Sequence, residues 1–154
     1  MATYDTPGPL NILLIEDNDD DVEAVRRVFA RNGVAASFRV VGDAQRALDV
    51  LFPDRRGTRL REVWSPHLIL LDLHLPKTAG LEVLRRVKVD PDRRSIPIVV
   101  LSGSAGNDVI AECMAIGTNM YLLKPMDSGD VANVIIGLQR YWPGRVPALE
   151  SEAA

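Results

Sequence analysis

Five times along this chain a short apolar run stops at a polar side chain and gives way to an amphipathic stretch, and that rhythm limits the possible folds most. Residues 10–15 are almost wholly apolar and stop at Glu16-Asp17. Such a run is a strand covered on both faces, as parallel sheets require. The next residues predict a helix opening within 18–21, because Asn and Asp cap free amides and carboxylates suit the positive helix end. Val22, Val25, Val28 and Phe29 give it an apolar side, and Asn32-Gly33 stops it. Asp19, Asp20 and Asp21 read as capping and solvated helix-start acids.

The pattern repeats as a strand over 37–41 and a helix capped by Asp43 and carrying Ala44, Ala47, Leu48 and Leu51. Residues 53–57 break that helix and begin a polar loop running to about 65. A third strand over 67–71 stops at Asp72, and a third helix covers 80–89. A fourth strand over 98–101 lies between Pro97 and Ser102-Gly103, followed by a helix over 107–116. A fifth strand over 120–123 is closed by Lys124-Pro125. The last helix is expected over 128–142, with Val131, Val134, Ile135, Leu138, Tyr141 and Trp142 on one side.

Five such units in 154 residues predict an α/β fold: a doubly wound, five-stranded parallel sheet with helices on both faces, flavodoxin-like in the strand order 2-1-3-4-5. The expected organisation is one domain over 10–142, an N-terminal extension over 1–9 and a C-terminal tail over 143–154. At 47% hydrophobic and 25% charged residues the chain has a globular balance. A formal net charge of −3 argues against nucleic acid as a direct partner, since phosphate backbones call for a basic surplus. No apolar run approaches the roughly 18 residues of a membrane span, and 1–9 does not resemble a secretory signal. Cys113, the single cysteine, lies among Ile110, Met114 and Ile116 and is expected to be a buried thiol. A cytoplasmic location follows from these readings.

Sites in doubly wound sheets form beyond the carboxyl ends of the strands. This chain places Glu16 and Asp17 after the first strand, Asp72 after the third, Ser102 after the fourth and Lys124 after the fifth. Strands one and three are neighbours in the expected order, so three carboxylates meet. They repel one another unless a positive charge stands between them. Carboxylates with waters and a backbone carbonyl suit octahedral Mg²⁺ completed by a phosphate oxygen. Lys124 and the Ser102 hydroxyl then flank a phosphoryl group, and Asp72, in the middle, suits the nucleophile of an aspartyl phosphate. Any one of these residues alone is a common strand-end side chain; their order and joint placement carry the argument.

These segments resemble the receiver domain of two-component response regulators, over about 11–142. The stretch from Ile12 to Asn18 is similar to the first strand and acid pair of that family, and Leu70-Leu71-Asp72-Leu73-His74-Leu75-Pro76 to its phosphoacceptor segment, with Gly80 following. Leu101-Ser102-Gly103 resembles its switch segment, and Tyr121-Leu122-Leu123-Lys124-Pro125 its aromatic-to-lysine segment. The resemblance implies phosphorylation of Asp72 by a sensor histidine kinase, and Mg²⁺ held by Asp17, Asp72 and the backbone carbonyl of His74, with Glu16 helping through water. It implies that Lys124 contacts the phosphoryl group, that Ser102 and Tyr121 form the switch, and that Lys124-Pro125 is cis. No enzyme activity is implied beyond self-phosphorylation and slow self-dephosphorylation. The output would pass to a downstream protein target or phosphotransfer protein.

The acid pair, the long loop before His67 and the terminal Tyr141-Trp142 also resemble the stand-alone regulators paired with bacterial phytochromes. That resemblance implies a homodimer through the face of helix four, strand five and helix five. Tyr141 and Trp142 have two open readings, at that interface or packed on their own sheet. Departures from the family pattern are Ser102 in place of threonine, Ala79 where an acid is common, and His74 two residues past the phosphoacceptor. A haloacid-dehalogenase-type phosphohydrolase is the enzyme alternative, but it needs an acid where His74 stands. A flavin module of this fold would meet repulsion at Glu16-Asp17, and a purely docking receiver would not need the full set of motif side chains.

Overall fold

The computed structural model describes residues 8–53, 64–73, 77–103 and 107–143. Strands β1 (Leu10–Ile15), β2 (Ala36–Val41), β3 (Leu68–Asp72), β4 (Ile98–Ser102) and β5 (Met120–Leu123) alternate with helices α1 (Asp19–Arg31), α2 (Ala44–Leu51), α3 (Lys77–Val89), α4 (Asn107–Ile116) and α5 (Ser128–Leu138). The strands pair in parallel, in the order β2-β1-β3-β4-β5. The predicted doubly wound sheet is the observed one.

Side chains alternate across a strand with a period of two, so the apolar runs feed two cores. Ile12, Leu14, Leu68, Leu70, Val99 and Leu101 pack with Val25, Val28 and Phe29 of α1 and Val131, Val134, Ile135 and Leu138 of α5. Leu13, Ile15, Ile69, Leu71, Ile98 and Val100 pack on the other face, against α2, α3 and the buried Cys113 of α4. The caps follow the sequence. Asn18 accepts from the Asp21 amide and Asp43 from that of Arg46, and Gly33 takes φ 69° just past α1. Asp127 and Asp130 form a reciprocal capping box on α5 that the sequence reading passed over.

Five elements differ from expectation at their boundaries, β2 and β4 by one residue each, at Ala36 and Ser102. The third strand covers 68–72 rather than 67–71, because the ladder with β4 continues past Asp72 to a bond from Leu73 N to the Leu101 carbonyl. His67 stands just ahead of it. The His67 amide donates to the Asn11 carbonyl at 2.7 Å, and its Nδ1 accepts from the Asn11 amide at 2.8 Å. Helix α3 begins at Lys77, not at 80, so Gly80 lies in its first turns. A Cβ there would come within 3.2 Å of Leu73 Cδ2, so the absence of a side chain permits the close approach. Helix α5 stops at Leu138 and tightens into a 3₁₀ turn over Gln139–Tyr141. The loop over 54–63 and the tail beyond 143 lie outside the described residues, as do residues 1–7 of the extension.

That tightened turn decides what the two terminal aromatics do. Trp142 is buried, and its Nε1 donates to the His67 carbonyl at 2.7 Å. Tyr141 packs against the same core, and its hydroxyl accepts from Asn119 Nδ2 at 3.1 Å. Both serve the chain's own packing. Trp142→Phe keeps most of the apolar burial but removes the donor from a part-buried carbonyl, so unfolding stability should fall by about 1–2 kcal/mol. Urea denaturation followed by circular dichroism measures it, and an unchanged midpoint would show that the indole N–H holds nothing.

Candidate functional site

Strand register builds the site. Ile15 is level with Leu71, so Glu16, one step on, stands beside Asp72. Asp72 is level with Leu101, which puts Ser102 one step further out, and Ser102 is level with Leu123, one step before Lys124. The Lys124 amide donates to the Ser102 carbonyl at 2.8 Å and fixes the start of the turn. The Lys124-Pro125 peptide is cis. Parallel pairing therefore lifts Glu16, Asp17, Asp72, Ser102 and Lys124 to one carboxyl-end rim, although they are spread over more than a hundred residues of chain.

Carboxylate oxygens of Glu16, Asp17 and Asp72 all lie within 4.8 Å of one another. Glu16 and Asp72 are buried, at 2% and 0% exposure, while Asp17 faces solvent. Lys124 reaches across them. Its Nζ lies 2.9 Å from Glu16 Oε1 and 3.3 Å from Asp72 Oδ2. A cleft of about 480 Å³ opens in front, lined by Asp17, Asn18, Asp21, Gly103, Lys124 and Pro125. Ser102 is buried at the end of β4. Tyr121, half-buried on β5, keeps its hydroxyl out of solvent with no hydrogen-bond partner among the described residues. His74 lies outside the described residues.

The reading of Asp21 as a solvated helix-start acid needs correction. Its Oδ2 lies 2.7 Å from Lys124 Nζ, the shortest of that ammonium's three carboxylate contacts. The reason is helical geometry. With Asn18 as the cap, Asp21 is the third residue of α1, and side chains in a helix lean back toward its N-terminus. Here that direction is over the cleft. The cap residue was legible in the sequence and the lean follows from it; the position of Lys124 does not.

Burial raises Glu16 first, since a carboxylate out of water is costly, and neighbouring Asp72 raises it further. The hydrogen bond from Lys124 opposes both, and the carboxyl settles at about 7. Burial by itself would lower Lys124, but hydrogen bonds to Asp21 and Glu16 and the charge of Asp72 outweigh it, and the ammonium is held above its ordinary range. The acids outnumber the lysine, so the cluster has room for a second cation. Hard oxygen donors at this spacing fit a small divalent ion.

A doubly wound parallel sheet whose carboxyl-end rim gathers an acid pair, a central buried aspartate and a lysine defines the receiver class of signalling domain. The response regulator receiver domain family matches residues 12–136, and the chain belongs to that family. It is 35% identical to a probable methanogenesis regulatory protein, FilR2, of Methanothrix harundinacea, over 88% of this chain and 85% of that one. It is 33% identical to response regulator Rcp1 of Synechocystis, over 87% and 89% of the two chains. The crystal structure of Rcp1 in its Mn²⁺-bound form superposes with a TM-score of 0.66 at 31% identity, covering 93% of this chain and 96% of that one. The bacteriophytochrome response regulator RtBRR superposes with a TM-score of 0.72 at 35% identity, covering 89% and 86%. Phytochrome-associated regulators are thus among its relatives. Among the described residues no helix is long and apolar enough to cross a membrane.

Glu16 supplies a test of the buried cluster. Its carboxyl is higher in the folded state, about 7 against 4.5, so folding favours the proton-bound form. The stabilisation is complete below pH 4.5 and is lost as pH rises through 7. In metal-free protein it amounts to a few kcal/mol, on the order of 3 at most. Glu16→Gln should flatten that fall relative to wild type in urea titrations from pH 4.5 to 8, and parallel curves would refute the burial effect.

Proposed function

We propose that the chain is phosphorylated on Asp72 by a sensor histidine kinase and signals through contacts with other proteins. The observation that carries this reading is the buried Asp72 carboxylate, between Glu16 and Lys124 and within 4.8 Å of Asp17, behind the cleft that Asp17 and Lys124 line. A carboxylate oxygen of Asp72 attacks phosphorus, and a P–O bond forms as the P–N bond to the donor histidine breaks. The departing imidazole nitrogen keeps the electron pair and takes a proton. Lys124 holds a phosphoryl oxygen, and the Ser102 hydroxyl approaches another.

The metal would be Mg²⁺, which Asp17, Asp72 and the backbone carbonyl of His74 would hold, with Glu16 helping through water; the spacing of the three carboxylates and the Mn²⁺-bound relative support a divalent ion here. When bound, it neutralises charge on the transferring phosphoryl oxygens. Glu16, Asp17 and Asp72 otherwise keep the cleft acidic, and Lys124 keeps Asp72 paired. Burying the Tyr121 hydroxyl without a partner is unfavourable, so the ring has something to gain from moving when Ser102 shifts. The domain proper is taken as 10–142, acting in the cytoplasm, and it needs no activity beyond phosphoryl uptake and slow loss. RtBRR among the relatives supports a kinase of the phytochrome type. Downstream, the message passes to a protein target or a phosphotransfer protein.

Intact-mass measurement after incubation with acetyl phosphate and Mg²⁺ tests the core of the reading. Wild type should gain one phosphoryl group and Asp72→Asn none, and the Tyr121 ring signals should move only in wild type. No adduct in either protein under several conditions would sink it.

A homodimer through α4, β5 and α5 is part of the same proposal. Met114, Leu123 and Ile136 stand exposed on those elements, at 53%, 60% and 58%, and they support it. Tyr141 and Trp142 are not needed for it. Sedimentation should show a dimer that Leu123→Asp dissociates, and a wild-type monomer at high concentration, phosphorylated or not, would rule this face out.

A further inference from the structure

Lys124 carries three N–H donors and faces three carboxylates, Asp21 at 2.7 Å, Glu16 at 2.9 Å and Asp72 at 3.3 Å. Two of the three have other work in the function proposed above. Asp72 becomes the phosphoryl acceptor, and Glu16 turns toward the metal. Asp21 alone has no second role, and it stands on a different element from both, in the first turn of α1. Its carboxylate is 41% exposed, so it keeps a place at the cleft rim where a lysine can be held without being sealed in. The Asp21 amide is bonded to the Asn18 side chain, which fixes the backbone beneath it.

We infer that Asp21 is the positioning residue for Lys124: it anchors the ammonium over the cleft when Glu16 and Asp72 are claimed by the metal and the phosphoryl group. This inference rests on the functional reading above. Asp21 itself touches neither the acceptor nor the donor; it acts through the lysine. Without it, the long side chain has a free choice between the cleft and solvent, and the cation is less often where phosphoryl charge develops. Neutralising Asp21 also removes a negative charge that repels anionic donors, an effect that by itself would raise the rate. Asp20, exposed on the same turn, measures that long-range contribution separately.

Wild type, Asp21→Asn, Asp21→Glu and Asp20→Asn, each checked for folding by circular dichroism, separate the two effects. Phosphorylation by acetyl phosphate with Mg²⁺ should slow about fivefold in Asp21→Asn, the size expected of a half-exposed ion pair, and change less than about twofold in Asp20→Asn. Asp21→Glu should recover most of the rate. In metal-free protein, ¹⁵N-detected exchange of the Lys124 ammonium, assigned with Lys124→Arg, should quicken by about the same factor in Asp21→Asn and not in Asp20→Asn. An Asp21→Asn protein phosphorylated as fast as wild type, or faster, overturns the inference, as does unchanged ammonium exchange. If wild type takes no phosphoryl group, the functional reading falls by itself. The exchange measurement then decides whether Asp21 holds Lys124.

Discussion

One ammonium group, Lys124 Nζ, reaches both buried carboxylates of this protein's cleft, and the arrangement of the rim follows from it. Glu16 and Asp72 are almost wholly removed from solvent. A buried carboxylate without a counter-charge is costly, and two side by side cost more. Lys124 meets part of that cost by bridging them and reaching Asp21 as well. It cannot meet all of it. The rise of Glu16 to about 7 is the remainder expressed as proton affinity. A proton on Glu16 or a divalent ion against the carboxylates would each complete that charge balance.

The opposite end of the sheet is tied by hydrogen bonds between protein groups. Lys88 Nζ donates to the carbonyl of Ile96 and to Asn119 Oδ1, which also accepts from the Ile98 amide, while Asn119 Nδ2 reaches the Tyr141 hydroxyl. Burial lowers the Lys88 ammonium, and the neighbouring Gly117 turns at φ 125°, a backbone that suits glycine. Trp142 ties the turn after α5 to His67, and His67 brackets Asn11. Polar groups at the amino-end of the strands are matched to protein partners. Those at the carboxyl end face a cleft. The fold thus separates a stapled end from one that opens on a cleft.

The apolar runs, the caps at Asn18 and Asp43 and the strand-ending polar residues were readable from the chain, because each depends on local chemistry. A period of two or 3.6, an Asn or Asp before a helix and a Gly after it act over a few residues. The strand order and the residues of the rim were readable too, since apolar runs covered on both faces leave few arrangements. Boundaries were less so. β3 gained Asp72 because β4 kept offering ladder bonds, and α5 closed as a 3₁₀ turn because Trp142 had to reach His67. The open choice for Tyr141 and Trp142, between interface and interior, needed partners fifty or more residues away in the case of Trp142.

By itself, then, the sequence determined a parallel α/β sheet with acids, a hydroxyl and a lysine at one edge, since hydrophobic periodicity and strand ends are local properties. Only tertiary structure decided that Asp21 belongs to that edge, that Glu16 rather than Asp17 is the buried member of the pair, and that Lys124 is shared among three carboxylates. Distances of a few ångströms between α1, β1, β3 and the end of β5 are set by how the sheet and its helices pack. Electrostatics at such distances changes steeply, and no spacing along the chain encodes it.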